Sequence, residues 1–185
     1  MEQNTIRSNR WNEAARYGLI FGGISSAYIY MDRLLVLLGL TGTFGSLLSF
    51  VLWAAKFVGC IKLMKYAMRK FSQDNPSAER SDIFRLGRNI AVLSALVFST
   101  FAVADIMYIS TGYYQAAYTA IITEMSKTLP AQNVEEMKNM LVDLPKYTFI
   151  GNFIYCSLYG IVLSFILSRN IPSQNPFNNN NPDEQ

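Results

Sequence analysis

The feature that most constrains this chain is the spacing of its charges. Four stretches, over residues 17–31, 34–55, 89–104 and 147–168, contain no charged side chain. A helix that crosses a bilayer needs about 20 mainly apolar residues. The whole chain is 51% hydrophobic and 16% charged, whereas an average soluble domain is about 25% charged. The pattern therefore predicts an integral membrane protein.

The predicted fold class is an all-α integral membrane four-helix bundle with an amphipathic helical insert between helices three and four. The helices are predicted at about 14–38, 45–66, 83–106 and 147–168, and the insert at about 113–144. Residues 1–169 form the transmembrane domain, of which residues 1–10 are predicted to be a polar tail. The tail 170–185, rich in Pro and Asn, is predicted to be disordered and cytoplasmic.

The first interhelical break has two possible positions. The glycine-rich stretch 39–45 suits a loop. A turn at Asp32-Arg33 is the alternative, but it would leave the second helix overlong. We therefore favour the glycine-rich stretch.

Lys and Arg are distributed unevenly in this arrangement. Eleven lie on the side that holds both termini and the loop 66–83, and four lie on the other side. Cytoplasmic loops of membrane proteins are enriched in Lys and Arg. We therefore expect both termini to be cytoplasmic.

Most catalytic and metal chemistry is excluded by residue types. The chain has no His and two Cys, whereas zinc is usually bound by three or four N or S ligands. Cys60 and Cys156 lie in apolar stretches and are predicted to be inert packing residues. The net charge of +3 does not indicate a nucleic-acid partner. We therefore expect no metal, no cofactor and no enzymatic activity.

Four polar residues are predicted to lie at a similar depth near the outer face, because a helix rises about 1.5 Å per residue. They are Asp32, Arg33, Asp105 and Asn152. Ionisable groups inside a membrane are costly and are functional candidates by default. One interpretation is an outward-facing site for a cation or a proton. The favoured interpretation is a structural salt bridge, in which Arg33 can neutralise Asp105.

Lys56 is the candidate intramembrane charge, near the middle of the second helix. A lysine stem can extend along apolar surface to the headgroups. Snorkelling toward the inner headgroups is the favoured interpretation, and a substrate site is the alternative.

Two further patterns concern packing and lipid. Gly18, Gly22 and Ser26 recur every four residues, and this spacing lets helices approach closely. Packing inside the monomer is favoured over a dimer seam. The second helix ends in the basic residues Lys62, Lys65, Arg69 and Lys70. These set the topology, and contact with anionic lipid headgroups is the alternative interpretation.

Several stretches resemble one known family. They are Trp11-x-x-Ala14-x-x-Tyr17-Gly18-Leu19-Ile20-x-Gly22, residues 65–71 (KYAMRKF), 83–88 (IFRLGR) and 160–164 (GIVLS). Together with the acidic insert, they resemble the four-helix membrane proteins of Bacteroidota known as domain of unknown function 4199. The resemblance covers nearly the whole chain. It implies a multi-pass protein of the bacterial inner membrane and implies no activity.

One stretch departs from the family pattern. Members often carry an Asp-Pro-Glu-like turn soon after the third helix, where this chain reads YYQA at residues 113–116. We therefore expect a different outer turn.

Two functions are consistent with these features. The first is a structural, scaffolding or accessory subunit that resides in the lipid bilayer with a membrane protein partner or a second copy of itself. The alternative is a small transporter or channel, motivated by the outer polar cluster and Lys56. An enzyme ranks third, because nothing organises the carboxylates for a named reaction.

Overall fold

The computed structural model describes residues 2–40 and 42–172, apart from the side chains of residues 2–4, 32, 36, 37, 131 and 141. All regular structure in these residues is helical. The elements are α1 (Glu2–Leu37), α2 (Gly42–Asp74), α3 (Arg80–Ala104), a π-helical turn (Asp105–Ile109), α4 (Thr111–Met125), α5 (Ala131–Val142) and α6 (Leu144–Arg169).

Three of the described helices are long and apolar enough to cross a membrane. They are α2, α3 extended by the π-helical turn, and α6. Most of their apolar side chains face outward, as expected for helices surrounded by lipid. Glycine, serine and tyrosine interrupt the apolar residues of α1, which is not one of the three.

Side-chain contacts define two ends of the bundle. At one end, the Asn9 amide donates to Asn75 at 3.2 Å, and Arg10 pairs with Asp82 at 2.7 Å. We call this the basic end, because Lys and Arg are concentrated there. We call the opposite end, where α1 finishes and α4 begins, the far end. Helices α1 and α3 run from the basic end to the far end, and α2 and α6 run back.

Helices α1 and α3 are parallel neighbours joined by an ion pair at each end. Arg10 pairs with Asp82 at the basic end, and Arg33 pairs with Asp105 at the far end. Both pairs have a sequence separation of 72, so the register of the two helices is the same at both ends. From residue 10 to residue 33 is 23 residues, or about 35 Å of helix.

Small residues allow α1 to approach α3 closely between these ion pairs. A Cβ atom on Gly18 would lie 2.7 Å from the Leu93 Cβ, and one on Gly22 would lie 2.6 Å from the Val97 Cβ. Ser26 is buried, and its hydroxyl donates to the Gly22 carbonyl at 2.8 Å. This face of α1 therefore packs inside the monomer, against α3.

The opposite side of α3 packs on α6 in the same manner. A Cβ atom on Gly160 would lie 2.5 Å from the Ala91 Cβ, and one on Gly87 would lie 2.8 Å from the Ser164 Cβ. Small residues continue along the buried face of α3 as Gly87, Ala91, Ala95, Ser99 and Ala102. Helix α3 is therefore the centre of the bundle.

The large buried side chains lie toward the basic end. Met68 and Phe71 of α2 pack there with Ile83 and Leu86 of α3. Earlier on α2, large apolar residues such as Phe50 and Trp53 are exposed. Helix α2 therefore packs closely on the bundle only over its last third.

The N-terminal segment differs from its prediction as a polar tail. Helix α1 begins at Glu2. Asn9 and Arg10 bond across to the α2–α3 region, while Ala14 and Tyr17 are buried. These contacts give the polar segment tertiary partners, and tertiary partners stabilise a helix more than local propensity does.

The predicted C-terminal tail lies mostly outside the described residues, which end at 172. The first residues of that tail have defined contacts. Ile171 is buried, and the Ser72 hydroxyl donates to the Pro172 carbonyl at 3.2 Å. Tertiary contacts thus continue beyond the last turn of α6.

A substitution pair tests the close approach of α1 to α3. We expect Gly22→Ala to destabilise the protein by about 2 kcal/mol, because overpacking a closely packed contact costs about this much. Gly23→Ala is the matched control, because a Cβ atom there meets nothing within 4 Å. Thermal unfolding in detergent micelles measures both. Equal melting temperatures for the two variants would contradict the packing described here.

Candidate functional site

A buried carboxylate at the far end, Asp105, is the centre of a hydrogen-bonded polar site. Asp105 is the first residue of the π-helical turn, and it is 0% exposed. The Arg33 guanidinium bonds both of its oxygens in a two-point arrangement, with the Nη1–Oδ1 distance at 2.8 Å and Nη2 bonded to Oδ2. Such bidentate pairs are among the stronger hydrogen-bonded contacts in proteins.

Two hydroxyl groups complete the site. Ser110 donates to Asp105 Oδ1 at 2.9 Å, and Tyr114 donates to Asp105 Oδ2 at 3.1 Å. Arg33 donates to both hydroxyl oxygens, at 2.8 Å for Tyr114. Each carboxylate oxygen therefore accepts two hydrogen bonds. We call Arg33, Asp105, Ser110 and Tyr114 the far-end cluster.

The π-helical turn explains how Ser110 and Tyr114 reach Asp105. In a regular α-helix, positions five and nine residues later lie about 140° and 180° around the axis. Here the Ser110 amide donates to the Asp105 carbonyl at 2.8 Å, the five-residue bond of a π-helix. The wider turn, followed by a non-helical Ser110, brings both hydroxyls back to the carboxylate. Single π-turns of this kind are frequent at functional sites.

Aromatic rings surround the arginine. The guanidinium carbon of Arg33 lies 5.3 Å from the ring centres of Tyr113 and Tyr114, and 6.0 Å from that of Tyr30. A cation over an aromatic face is stabilised by the ring quadrupole. Burial, and then the Asp105 charge, raise the pKa of the Tyr114 hydroxyl. The hydroxyl therefore keeps the proton that it donates.

The predicted polar cluster is assembled only in part. Arg33 and Asp105 are brought together, as described above. Asn152 is half-buried on α6, and no hydrogen bond joins it to the other described members. The Asp32 side chain lies outside the described residues. The other hydrogen bonds to Asp105 come from Ser110 and Tyr114, which the sequence interpretation did not include in the cluster.

The bonding of the far-end cluster limits what it can do. A cation at Asp105 would have to displace Arg33, because that side chain already occupies both carboxylate oxygens. Within the described chain, no group of three or more His, Cys, Asp or Glu could hold a metal ion. The cluster joins α1, the π-helical turn that follows α3, and α4 through side-chain hydrogen bonds.

A second candidate site, a mainly apolar cavity, lies between the helices nearer the bundle centre. A cavity of about 190 Å³ is bordered by all four long helices. Lys56 of α2 contributes its only cation, and Cys60 and Cys156 line it from α2 and α6. Both cysteines are unpaired. Their environment is half-buried and apolar, in line with packing residues.

The Lys56 side chain does not extend toward the basic end. Its ammonium lies 4.6 Å from the ring centre of Tyr28. Tyr28 is five residues from Arg33 and 18 from Arg10, so the ammonium lies in the far-end half of the bundle. Helical side chains lean toward the N-terminus of their own helix, and the N-terminus of α2 is at the far end. This lean explains why the predicted direction of snorkelling differs from the structure.

The remaining predicted residues lie on helix surfaces. Lys62, Lys65 and Arg69 are exposed on one side of α2, and Lys70 is half-buried. Their spacing of three and four residues suits contact with a headgroup layer, and this contact stays a prediction.

A pair of tyrosine substitutions tests the bond that fixes α4. We expect Tyr114→Phe to cost about 1 kcal/mol, the usual contribution of a hydrogen bond, and to speed amide exchange in α4. Tyr113→Phe is the control, since that ring also lies 5.3 Å from Arg33 while its hydroxyl bonds no described residue. Hydrogen exchange and micelle unfolding measure both. Equal exchange in the two variants would show that the hydroxyl does not hold α4.

Comparisons with known proteins agree with the resemblance in the sequence. No curated protein and no solved structure matches this chain. A family model described as a protein of unknown function (DUF4199) matches residues 16–169, which include all of α2 to α6 and most of α1. The chain belongs to the DUF4199 family of proteins of unknown function.

Proposed function

We propose that this protein is a structural or accessory subunit of a membrane assembly, with a second membrane protein as its partner. The observation that carries the proposal is helix α4. None of its 15 residues is buried, and it includes exposed Tyr113, Ile121 and Met125. An isolated helix of this length is marginal in water. A further surface that covers α4 would supply the missing stabilisation.

The groove beside α4 supports a protein partner. It encloses about 510 Å³ between α4, the π-helical turn and the start of α6. Met107, Tyr118 and Val142 are among its apolar lining residues. Grooves of this kind accept the apolar face of a helix, so we propose a helix of the partner as the occupant. Apolar patches outside a lipid-covered span mark interaction sites.

The far-end cluster supports a structural role for the same region. Tyr114 attaches α4 to Arg33 and Asp105, so the groove has a fixed wall. Preformed surfaces bind with a smaller entropy cost than mobile ones. A rigid groove without an organised reactive centre fits a subunit better than an enzyme.

A small transporter or channel is the alternative proposal. The cavity beside Lys56 is the observation that favours it, because intramembrane charges often mark substrate paths. The Arg33–Asp105 pair counts against a cation route through the far end, since the carboxylate is already neutralised. Solute flux in liposomes that falls in Lys56→Met would favour transport.

We further propose that α1 is a fourth membrane-crossing helix. Its two ion pairs with α3 are about 35 Å apart along the helix, and the hydrocarbon core is about 30 Å thick. No charge lies between Arg16 and Asp32. With eleven basic residues on the side of the basic end against four on the other, both termini would be cytoplasmic in a bacterial inner membrane.

Reporter fusions test this topology. We expect cytoplasmic signals at the N-terminus and at residues 75 and 185, and external signals at residues 42 and 137. If the N-terminus and residue 42 report the same side, α1 does not cross the membrane. A cytoplasmic signal at residue 137 would reverse the proposed orientation.

Co-purification tests the partner. We expect the tagged protein to retain a specific membrane protein in mild detergent, and Tyr113→Ser/Ile121→Ser to release it by removing apolar contacts. The matched control is Leu158→Ala/Phe165→Ala, which changes exposed residues on the lipid-facing side of α6. Quantitative mass spectrometry compares the eluates. Recovery of no specific protein with the unchanged chain would refute the proposal, and recovery of a second tagged copy alone would identify a homo-oligomer instead.

A further inference from the structure

The cavity beside Lys56 has the features of a site for a ligand that arrives from the bilayer. Trp53 stacks on Phe57 with ring centres 5.5 Å apart, and Phe57 contacts Tyr159 of α6 at 5.6 Å. These rings line the cavity where α2 and α6 face each other. Trp53 and Tyr159 are also partly exposed on the outer surface of the bundle. An apolar molecule in the bilayer would therefore meet the cavity from the side.

The charge in this cavity lacks a described counter-ion. No carboxylate of the described side chains lies within 4 Å of the Lys56 ammonium. The Tyr28 ring at 4.6 Å supplies a quadrupole, which stabilises a cation but does not neutralise it. A charge taken out of water is costly unless it is paired. An anion in the cavity would supply the pairing.

The number and type of cations select the chemical class of that anion. Lys56 is the one cation among the residues that line the cavity. A lysine is a compact point charge, whereas bidentate recognition of phosphate favours arginine. The Lys56 ammonium therefore matches an anion with a single negative charge. A phosphate dianion would leave an excess negative charge in an apolar space. The apolar remainder of the lining suits a hydrocarbon chain.

We propose that this cavity binds a fatty acid anion, with the carboxylate on the Lys56 ammonium and the chain extending past Trp53 toward the bilayer. The proposal is independent of the partner proposed for α4, since the cavity lies on the other side of the far-end cluster from the groove.

Tryptophan fluorescence gives a direct test with the full chain in phosphatidylcholine vesicles. The chain has two tryptophans, so Trp11→Phe leaves Trp53 as the reporter. Dibromostearate is the probe, and its methyl ester measures quenching by simple partition into the bilayer. We expect saturable quenching by the acid that oleate reverses, and only non-saturable quenching by the ester.

Charge variants test the role of Lys56. We expect Lys56→Met to weaken the stearate affinity at least about tenfold, because it removes the one cation that would pair with the carboxylate in this mainly apolar cavity. Lys56→Arg retains the charge and most of the affinity, and Lys62→Met, an exposed lysine on the same helix, changes nothing.

Several results would overturn the proposal. If dibromostearate and its methyl ester quench Trp53 equally in the protein with Lys56 unchanged, the quenching comes only from partition of the probes into the bilayer. This result would overturn the proposal regardless of the results with the Lys56 variants. An unchanged stearate affinity in Lys56→Met would show that the lysine charge does not contribute to binding. Tighter binding of brominated phosphatidic acid than of stearate would show that the ligand of the cavity is a phosphate lipid and not a fatty acid.

Discussion

The parallel contact of α1 with α3, held by an ion pair at each end, is the constraint on which the other features depend. Asp105 has no access to solvent, and an uncompensated carboxylate in such a place costs several kcal/mol. Its partner Arg33 is therefore fixed in position. The second pair, Arg10 with Asp82, fixes the same register at the basic end. Helix α1 consequently cannot slide along α3 without breaking both pairs.

This register determines where the molecule is closely packed and where it is open. Gly18 and Gly22 bring α1 against one side of α3, while Gly160 brings α6 against the other. Helix α2 shares that packing only near the basic end. Its middle part, from Trp53 to Cys60, borders the Lys56 cavity. At the far end, the same ion pair holds α4 beyond the bundle, where its apolar side chains remain exposed.

The coarse features of this structure follow from sequence patterns, because they depend on long uncharged stretches. These stretches predict an all-helical protein with helices that are long and apolar enough to span a membrane. The described residues confirm this prediction. Family membership, read from residues near the helix boundaries, is confirmed as well. Depth along a helix depends only on its rise, and so Arg33 and Asp105 could be assigned to one level before any contact was known.

The position of a side chain around the helix axis is harder to predict than its depth along the helix. Ser110 and Tyr114 lie on the wrong side of a regular helix, and only the π-helical turn brings them to Asp105. The break at Ser110-Thr111-Gly112 after an acidic residue was the available signal. The small residues from Gly87 to Ala102 on α3 were visible at four-residue spacing, but their partners on α6 depend on tertiary packing. The N-terminal part of α1 was missed because its stabilising contacts are 66 and 72 residues away in sequence.

A double-mutant cycle on Arg33 and Asp105 tests the central contact most directly. Arg33→Met, Asp105→Leu and the double variant are compared by unfolding in mixed micelles. Arg33→Met is expected to lose about 3 kcal/mol, because it leaves the buried Asp105 carboxylate without its partner. Asp105→Leu is expected to lose less, because the Arg33 side chain is 20% exposed. The double variant is expected to lose much less than the sum. Additive losses would contradict the account, because they would mean that the two residues do not stabilise the bundle through each other.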